Sequence, residues 1–244
     1  MATVIDKQKT NFRGEHMTDK NPICTLEVDG IRGGESDIHI PKSKPAYDFI
    51  KRLFDIVFSI ISIVIFSPAF IAVALAIKIN DGGPVLYTSQ RVGKNGKVFN
   101  FYKFRSMSPD ADVIYEEIKH QTETKGPTFK LENDPRVTKV GRFIRKTSLD
   151  ELPQFFNILA GNMSFVGPRP PLVREVEQYG PKAMQRLSVK GGLTCFWQVM
   201  GRSEIDFDGM VELDLEYIDK RGFLTDIKIL FLTIPAVFMG KGAY

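Results

Sequence analysis

Two adjacent carboxylates, Asp150 and Glu151, stand in the short stretch SLDELPQF, which covers residues 148–155. A structural role would be helix capping, because Ser148 and Glu151 fit the S-x-x-E capping box. Pro153 opposes that start, since it would lie in the helix body, where its missing N–H breaks a hydrogen bond. A helix that begins at Asp150 instead places Pro153 in the first turn and Glu151 near free N–H groups that can hold an anion.

The rest of the chain indicates phosphoryl chemistry for this acid pair. The three histidines, His16, His39 and His120, lie in a polar tail or on a helix expected to be exposed, so a histidine general base is not predicted. The segment GKNGK, residues 93–97, lacks the spacing of a Walker loop. Carboxylates beside cations suit phosphoryl transfer, because cations neutralise phosphate oxygens and a carboxylate can bind Mg²⁺ or attack phosphorus.

Composition is that of a globular protein with one unusual segment. The chain has 244 residues, of which 43% are hydrophobic and 25% charged, and a net charge of +4. This mild charge suits an anionic membrane face or a phosphate ligand, and no aromatic–basic platform predicts nucleic-acid binding. Cys24 and Cys195 form no metal pattern or disulfide framework, which favours a reducing, cytosol-facing environment. Residues 1–17 lack the apolar region of a secretory signal.

The unusual segment is an uncharged run over residues 56–77, about the length that spans a bilayer core. A core helix of a soluble protein seldom stays uncharged on all faces over this length. Ser67-Pro68 interrupts the run, and a proline inside a helix predicts a bend. Each limb then covers only about half a bilayer at ~1.5 Å per residue.

The flanks of this run do not set a direction of insertion. Lys51 and Arg52 precede it and Lys78 follows, so the positive-inside rule favours neither orientation. A re-entrant hairpin that enters and leaves through the cytoplasmic face satisfies both flanks, and the Ser67 hydroxyl can bond to a carbonyl freed at the bend. A spanning helix kinked at the proline is the alternative.

The predicted fold class is α+β, mostly helical with a small β-hairpin. Residues 85–91 and 97–104 are the predicted strands, joined by a turn at 93–96, and residues 193–199 are a further strand candidate. The predicted domains are a disordered polar tail at 1–45, a re-entrant membrane helix at 46–80 and a cytosolic catalytic domain with interfacial helices at 81–244. Helices are predicted for residues 109–121, 150–159, 171–187 with an interruption at Gly180-Pro181, 206–222 and 223–240.

Several motifs, taken in order, resemble the bacterial sugar transferase family. They are KRLFD, the Ser67-Pro68 break, YKFRSM, DPRVTKVGRFIRKTSLDELPQFFNIL, MSFVGPRP, FWQVMGR and the closing KGAY, and together they cover about residues 46–244. The family comprises monotopic phosphoglycosyl transferases that start exopolysaccharide, O-antigen and glycoconjugate assembly. The resemblance implies transfer of a sugar 1-phosphate, expected to be a hexose, from a UDP-sugar to undecaprenyl phosphate with Mg²⁺.

The resemblance also implies a role for individual residues. Asp150 would be the nucleophile that attacks the β-phosphorus, releases UMP and carries the phosphosugar, and Glu151 would help it to place the metal. Ser67 and Pro68 would form the re-entrant break. The implied substrate-binding residues are Lys103, Arg105, Arg145, Pro168, Arg169 and Pro170.

The implied setting is the cytoplasmic face of the bacterial inner membrane. Inner-membrane lipid is an implied partner, a homodimer is a candidate assembly, and nucleic acid is not expected. Because many relatives carry spanning helices ahead of this domain where this chain has its polar tail, a minimal form of the family is predicted.

Two positions depart from the family pattern. Asn162 stands where the family usually has an acid, which puts any metal-binding role of that position in doubt. Gly191-Gly192 replaces the usual Pro-Gly and is expected to loosen that turn.

The alternative function is an inactive membrane-anchored binding or scaffold subunit, against which the intact acid pair and its cations argue.

Overall fold

The computed structural model describes residues 42–118, 120, 131, 133–201 and 205–239. The described residues form an α+β fold that is mostly helical with two small two-stranded sheets, which confirms the predicted class. Most of the predicted tail, Cys24 and the closing KGAY motif lie outside the described residues. The helices are α1 Pro45–Ile65, α2 Ser67–Asp81, α3 Ala111–Ile118, α4 Lys139–Lys146, α5 Gln154–Ala160, α6 Val173–Val176, α7 Pro181–Met184, α8 Phe196–Met200, α9 Phe207–Lys220 and α10 Phe223–Met239.

The uncharged run forms two helices, α1 and α2, whose axes differ in direction by 60°. Pro68 lies in the first turn of α2, where its missing N–H leaves no helical bond unmade. The Ser67 hydroxyl donates to the carbonyl of Val64 at 2.8 Å, which confirms the predicted bond at the bend. Among the described helices none alone has the length and apolarity to cross a bilayer, whereas this bent pair taken together does.

The cations at the start of α1 bind the protein itself. Lys51 Nζ lies 2.5 Å from the Asp226 carboxylate on α10. Arg52 donates to the carbonyls of Ile158 at 2.7 Å and Leu159 at 2.8 Å, and so completes the C-terminal end of α5. The sequence placed both cations at a membrane flank, but their charges serve to anchor α1 to the folded domain.

The predicted β-hairpin is confirmed. Strands β1 (Leu86–Val92) and β2 (Val98–Phe104) pair antiparallel, with Leu86 opposite Phe104 and Val92 opposite Val98. The chain reverses through a 3-10 turn at Lys94–Gly96, in which Asn95 has a φ of 58°. Asparagine tolerates this left-handed conformation better than most residues, which is why the GKNG segment can turn so tightly.

The second sheet differs from the sequence prediction. Strands β3 (Ser164–Val166) and β4 (Gly192–Thr194) pair parallel, and the strand predicted over 193–199 ends at Thr194 because helix α8 begins at Phe196. Strand β3 is held at its start by the buried carboxylate of Asp55, which accepts bonds from the Ser164 hydroxyl and the Phe165 N–H.

The main hydrophobic core joins the helical pair to the domain that holds the polar residues. It comprises Val73, Ile77, Phe99, Phe101, Phe104, Ile144, Leu152, Phe155, Ile158 and Met163. Eight of these residues come from α2, β2, α4 and α5, and Leu152 and Met163 lie on either side of α5. The core therefore fixes the positions of the elements that carry the cations and acids. A second cluster packs α9 and α10 beneath β3 and β4.

We expect Gly192→Ala to destabilise the fold strongly. A Cβ atom at this position would lie 2.1 Å from the backbone nitrogen of Gly167, and backbone atoms cannot move aside cheaply. The free energy of unfolding should fall by about 3 kcal/mol or more in chemical denaturation. Gly180→Ala is the control, since nothing lies within 4 Å of its added carbon, and it should cost less than about 1 kcal/mol. Equal losses of unfolding free energy in the two variants would contradict the close contact between Gly192 and the Gly167 backbone.

Candidate active site

The acid pair lies on a 3-10 turn, Leu149–Glu151, between α4 and α5. Ser148 precedes it in the left-handed region, with a φ of 56°, and its side chain makes no capping bond. Helix α5 begins at Gln154 with Pro153 at the N-cap position, so a helix capped by Asp150 was a wrong prediction. The sharp turn at Ser148 and the rigid ring of Pro153 separate the pair from the helix and leave both carboxylates free for other contacts.

Two cations from distant parts of the chain contact the pair. Lys103 Nζ on β2 lies 3.4 Å from Asp150 Oδ2 and 3.0 Å from Glu151 Oε1. Arg169 donates from Nη1 to the same Glu151 oxygen at 3.1 Å. Asp150 is 5% exposed, whereas the Glu151 side chain is about one quarter exposed, at 24%. The structure therefore brings four of the predicted site residues together around one ion-pair network.

The two carboxyls have different acidities. Burial raises the pKa of the Asp150 carboxyl above its usual value, and the negative charge of Glu151 adds to this, although Lys103 and Arg145 act against it. Burial also opposes ionisation of Glu151, but Lys103 and Arg169 outweigh it and hold the pKa of that carboxyl well below its usual range. Paired acids whose environments separate their pKa values are typical of sites where the two carboxyls have different tasks.

Arg145 provides a third positive charge beside Asp150. It lies in the last turn of α4, whose N-terminus is capped by the Thr138 hydroxyl at 2.9 Å from the Gly141 N–H. Its buried Nη1 atom has no hydrogen-bond partner among the described residues. A buried charged donor without a partner is costly, so this atom is suited to an anionic ligand that enters the site.

Asn157 is a positioning residue that the sequence reasoning missed. Its Oδ1 accepts from the Tyr102 N–H at 3.0 Å and its Nδ2 donates to the Asn100 carbonyl at 2.6 Å, so it joins α5 to β2 next to Lys103. Asn157 is 1% exposed. The available signal was an asparagine in the middle of the apolar stretch FFNIL, since a buried amide needs partners.

A cleft of about 1540 Å³ opens over the acid pair. Lys103, Arg145, Asp150, Glu151 and Arg169 lie on its polar wall, together with Arg91 and Pro170. Apolar side chains of α5, α8 and α10 continue the wall beyond the acids. The predicted residue Pro168 instead lines a small cavity behind the loop that carries Arg169.

Arg105 is on the cleft wall but is already engaged. Its guanidinium pairs with the Asp81 carboxylate at the end of α2, and its Nε donates to the Pro84 carbonyl at 2.5 Å. These bonds tie α2 to β2. Contact of Arg105 with a substrate remains a prediction.

The site as described is an acid pair ringed by cations at the mouth of a partly apolar cleft. Comparison with known proteins identifies the family to which the chain belongs. The family described as "Bacterial sugar transferase" matches residues 46–240. The chain is 39% identical to the exopolysaccharide production protein ExoY of Rhizobium meliloti, over 87% of this chain and 98% of that protein. The chain therefore belongs to the bacterial sugar transferase family.

Other relatives carry names that state a reaction. The chain is 46% identical to the undecaprenyl-phosphate galactose phosphotransferase of Salmonella typhimurium, over 96% of this chain and 49% of that protein. It is 44% identical to the UDP-glucose:undecaprenyl-phosphate glucose-1-phosphate transferase of Escherichia coli, over 80% of this chain and 41% of that protein. The chain thus spans less than half the length of these two relatives.

Proposed function

We propose that this protein transfers a hexose 1-phosphate from a UDP-sugar to undecaprenyl phosphate, as the first membrane step of exopolysaccharide, O-antigen or glycoconjugate synthesis. Relatives named for this reaction with galactose and with glucose support the proposal. The observation that carries it is the placement of Asp150, a nearly buried carboxylate at a cleft wall, among three cations that can neutralise phosphate oxygens.

Asp150 is the proposed nucleophile. Its carboxylate oxygen forms a bond to the β-phosphorus of the UDP-sugar, the bond from that phosphorus to the bridging oxygen breaks, and UMP leaves with the bonding electron pair. An oxygen of undecaprenyl phosphate then attacks the same phosphorus, which restores the Asp150 carboxylate and forms the lipid diphosphate sugar. Phosphate negative charge repels an attacking carboxylate, so Lys103, Arg145 and Arg169 lower this repulsion at the moment of attack.

The donor set of the site fits Mg²⁺. No cluster of three or more metal-binding side chains occurs in the described part of the chain, and Mg²⁺ is commonly held by one or two carboxylates together with substrate phosphates and water. Asp150 and Glu151 are the residues that would hold the ion, which would neutralise phosphate charge when bound. Asn162 follows α5 and lies at the opposite end of that helix from the acids, roughly 10 Å along its axis, so the departure there removes no ligand beside Asp150.

The helical pair α1–α2 is proposed to be a re-entrant membrane hairpin. Its first limb is anchored to the domain through Lys51 and Asp226, and its second limb through Asp81 and Arg105. A helix that crosses a bilayer core would place its ends about 30 Å apart on opposite faces, and one cytosolic domain could not hold both. Large apolar side chains along both limbs are exposed, including Val64 at 65% and Ile71 at 62%, and these would face the lipid.

We expect both ends of the hairpin to face the cytoplasm. A cysteine introduced at Lys42 or at Asn80, in a chain whose Cys24 is replaced by serine and whose Cys195 is buried, should resist an impermeant thiol reagent applied from the periplasmic side. Both positions should react once the membrane is opened by detergent. Periplasmic labelling at one position alone would indicate a spanning helix and overturn the hairpin.

The reaction is tested by measuring UMP release from a panel of UDP-sugars, with and without undecaprenyl phosphate. The expected result is sustained UMP release from one UDP-hexose only when undecaprenyl phosphate is present, which also identifies the sugar. Without the lipid, intact-mass spectra should show one phosphohexose per chain, because the second step cannot occur. A chain that binds UDP-sugars but releases no UMP with any of them would be a binding or scaffold subunit instead.

A further inference from the structure

The loop that carries Arg169 cannot hold its own shape by backbone hydrogen bonding. Three of the four residues 168–171 are prolines, which have no N–H to donate. Each of the four carbonyls in this segment nevertheless accepts a hydrogen bond from outside it. The donors are Gly192 N to Pro168 O at 2.9 Å, Arg186 Nη2 to Arg169 O at 3.5 Å, Arg91 Nη1 to Pro170 O at 2.9 Å and Val92 N to Pro171 O at 2.9 Å.

Two of these four donors are arginine side chains from separate elements. Arg91 lies on β1, with its guanidinium 5.0 Å from the centre of the Phe101 ring. Lys103 and Arg169 also lie within about 6 Å of that ring, at 5.9 and 6.0 Å. Burial and the positive charge of Arg169 lower the pKa of Arg91 to about 10, so it remains charged at neutral pH. Arg91 forms no ion pair with any of the described residues, so its bond to the Pro170 carbonyl is the main polar contact of its side chain.

Arg186 contacts the loop from the protein interior. It is 3% exposed and its Nε donates to the fully buried carboxylate of Asp214 on α9 at 2.8 Å. Its Nη1 donates to the Tyr179 hydroxyl at 2.7 Å, which leaves Nη2 directed to the Arg169 carbonyl. A buried ion pair held on three sides is a rigid support, because any movement would leave a charge without its partner.

We infer that Arg91 and Arg186 are positioning residues, which hold the Pro168–Pro171 segment so that the Arg169 guanidinium meets Glu151 and the substrate phosphates. This inference rests on the proposed function for its catalytic consequence, although the ordering of the segment does not depend on it. Because the three prolines have no N–H to donate, hydrogen bonds accepted by the carbonyls of the segment fix its position. The Arg91 bond to the loop, at 2.9 Å, is shorter than the Arg186 bond, at 3.5 Å, so loss of Arg91 should disturb the segment more.

The first test measures order in the segment without any substrate. The Gly192 amide reports on it, because this N–H donates to the Pro168 carbonyl and lies far from position 91 in sequence. In Arg91→Met the Gly192 amide should exchange with deuterium about fivefold faster or more, whereas Arg91→Gln, which keeps a donor without the charge, should stay closer to the parent. Unchanged Gly192 exchange in Arg91→Met would overturn the inference.

Arg186 needs a paired substitution, since its removal alone would leave Asp214 buried and unpartnered. Replacing both as Arg186→Met with Asp214→Leu removes the two charges together and preserves packing volume. The Gly192 amide should again exchange faster, by a smaller factor than in Arg91→Met because the 3.5 Å bond is the weaker one. If the Gly192 amide of this double variant exchanges no faster than that of the parent protein, Arg186 is not a positioning residue.

The second test uses UMP release in a double-mutant cycle. Arg91→Met should lower turnover by about tenfold or more in the parent and by less than about twofold in an Arg169→Ala background, because its effect passes through Arg169. Equal losses in the two backgrounds would show that Arg91 acts independently. Lys182→Met is the control, since Lys182 is 62% exposed in a surface ion pair with Glu212, and should match the parent. If the parent releases no UMP, the proposed reaction is wrong and the exchange measurements still decide the positioning role.

Discussion

Asp150→Asn should abolish UMP release almost completely while the protein stays folded. An amide oxygen carries no negative charge with which to attack phosphorus, and removal of a catalytic nucleophile typically costs many orders of magnitude, roughly 10⁴-fold or more. The melting temperature should be unchanged or slightly higher. Burial raises the pKa of Asp150, which means that the fold disfavours its ionised form, and a neutral amide of the same shape avoids that cost.

Substitution of the neighbouring carboxylate, Glu151, serves as the comparison for Asp150→Asn. Glu151→Gln should also impair turnover but should still allow some phosphosugar to accumulate on Asp150, because the nucleophile remains. Glu151→Gln should lower stability where Asp150→Asn does not, since Lys103 and Arg169 then lose the negative charge that they share. Normal UMP release by Asp150→Asn would exclude the covalent route through this residue.

Arg145→Met should lower turnover by about 100-fold to 1000-fold, the effect expected when one donor to a developing phosphate charge is removed. The reason is the buried Nη1 atom of Arg145, which has no partner among the described residues and lies on the cleft wall beside Asp150. Stability should change little, because the substitution removes a buried unsatisfied donor and keeps a side chain of similar length.

Arg142→Met is the matched control, since Arg142 lies on the same helix, α4, but is exposed to solvent. Its turnover is expected to stay within about twofold of the parent. If the two substitutions have the same effect on UMP release, the loss reflects a change in α4 and not the missing phosphate contact. Chemical denaturation of both variants shows whether any loss of UMP release is caused by unfolding.

Several local features could be predicted from the sequence because short-range stereochemistry decides them. The bend at Ser67-Pro68, the turn at residues 93–96 and the helices α9 and α10 depend on residues close together in the chain, and all are found where predicted. Even Lys103 carries a local signal. It follows Phe101 by two residues on β2, so it shares the face of that buried ring and points toward the interior of the site.

The misinterpreted elements have non-local causes. Residues 193–199 have strand-like composition, but pairing with β3 extends only to Thr194, and α8 follows under the packing of α9 and α10. Lys51 and Arg52 looked like membrane flanks because their partners, Asp226 and the end of α5, are more than 100 residues away in sequence. A cation adjacent to an apolar run gives the same pattern whether it binds lipid or protein.

By itself the sequence determined the chemistry that is available, namely an adjacent acid pair, several cations and a bent apolar run, together with membership of a family. Only the tertiary structure decided which cations meet the acids. Lys103 and Arg169 reach Glu151 from 48 and 18 residues away, while Arg105, equally basic, is tied to Asp81. It also placed the side chains of Arg91 and Arg186 against carbonyls of the proline-rich loop, which is the basis of their proposed positioning role. The physical reason is that hydrogen bonds and ion pairs depend on distances of a few ångströms, which the packing of distant segments sets and local sequence does not.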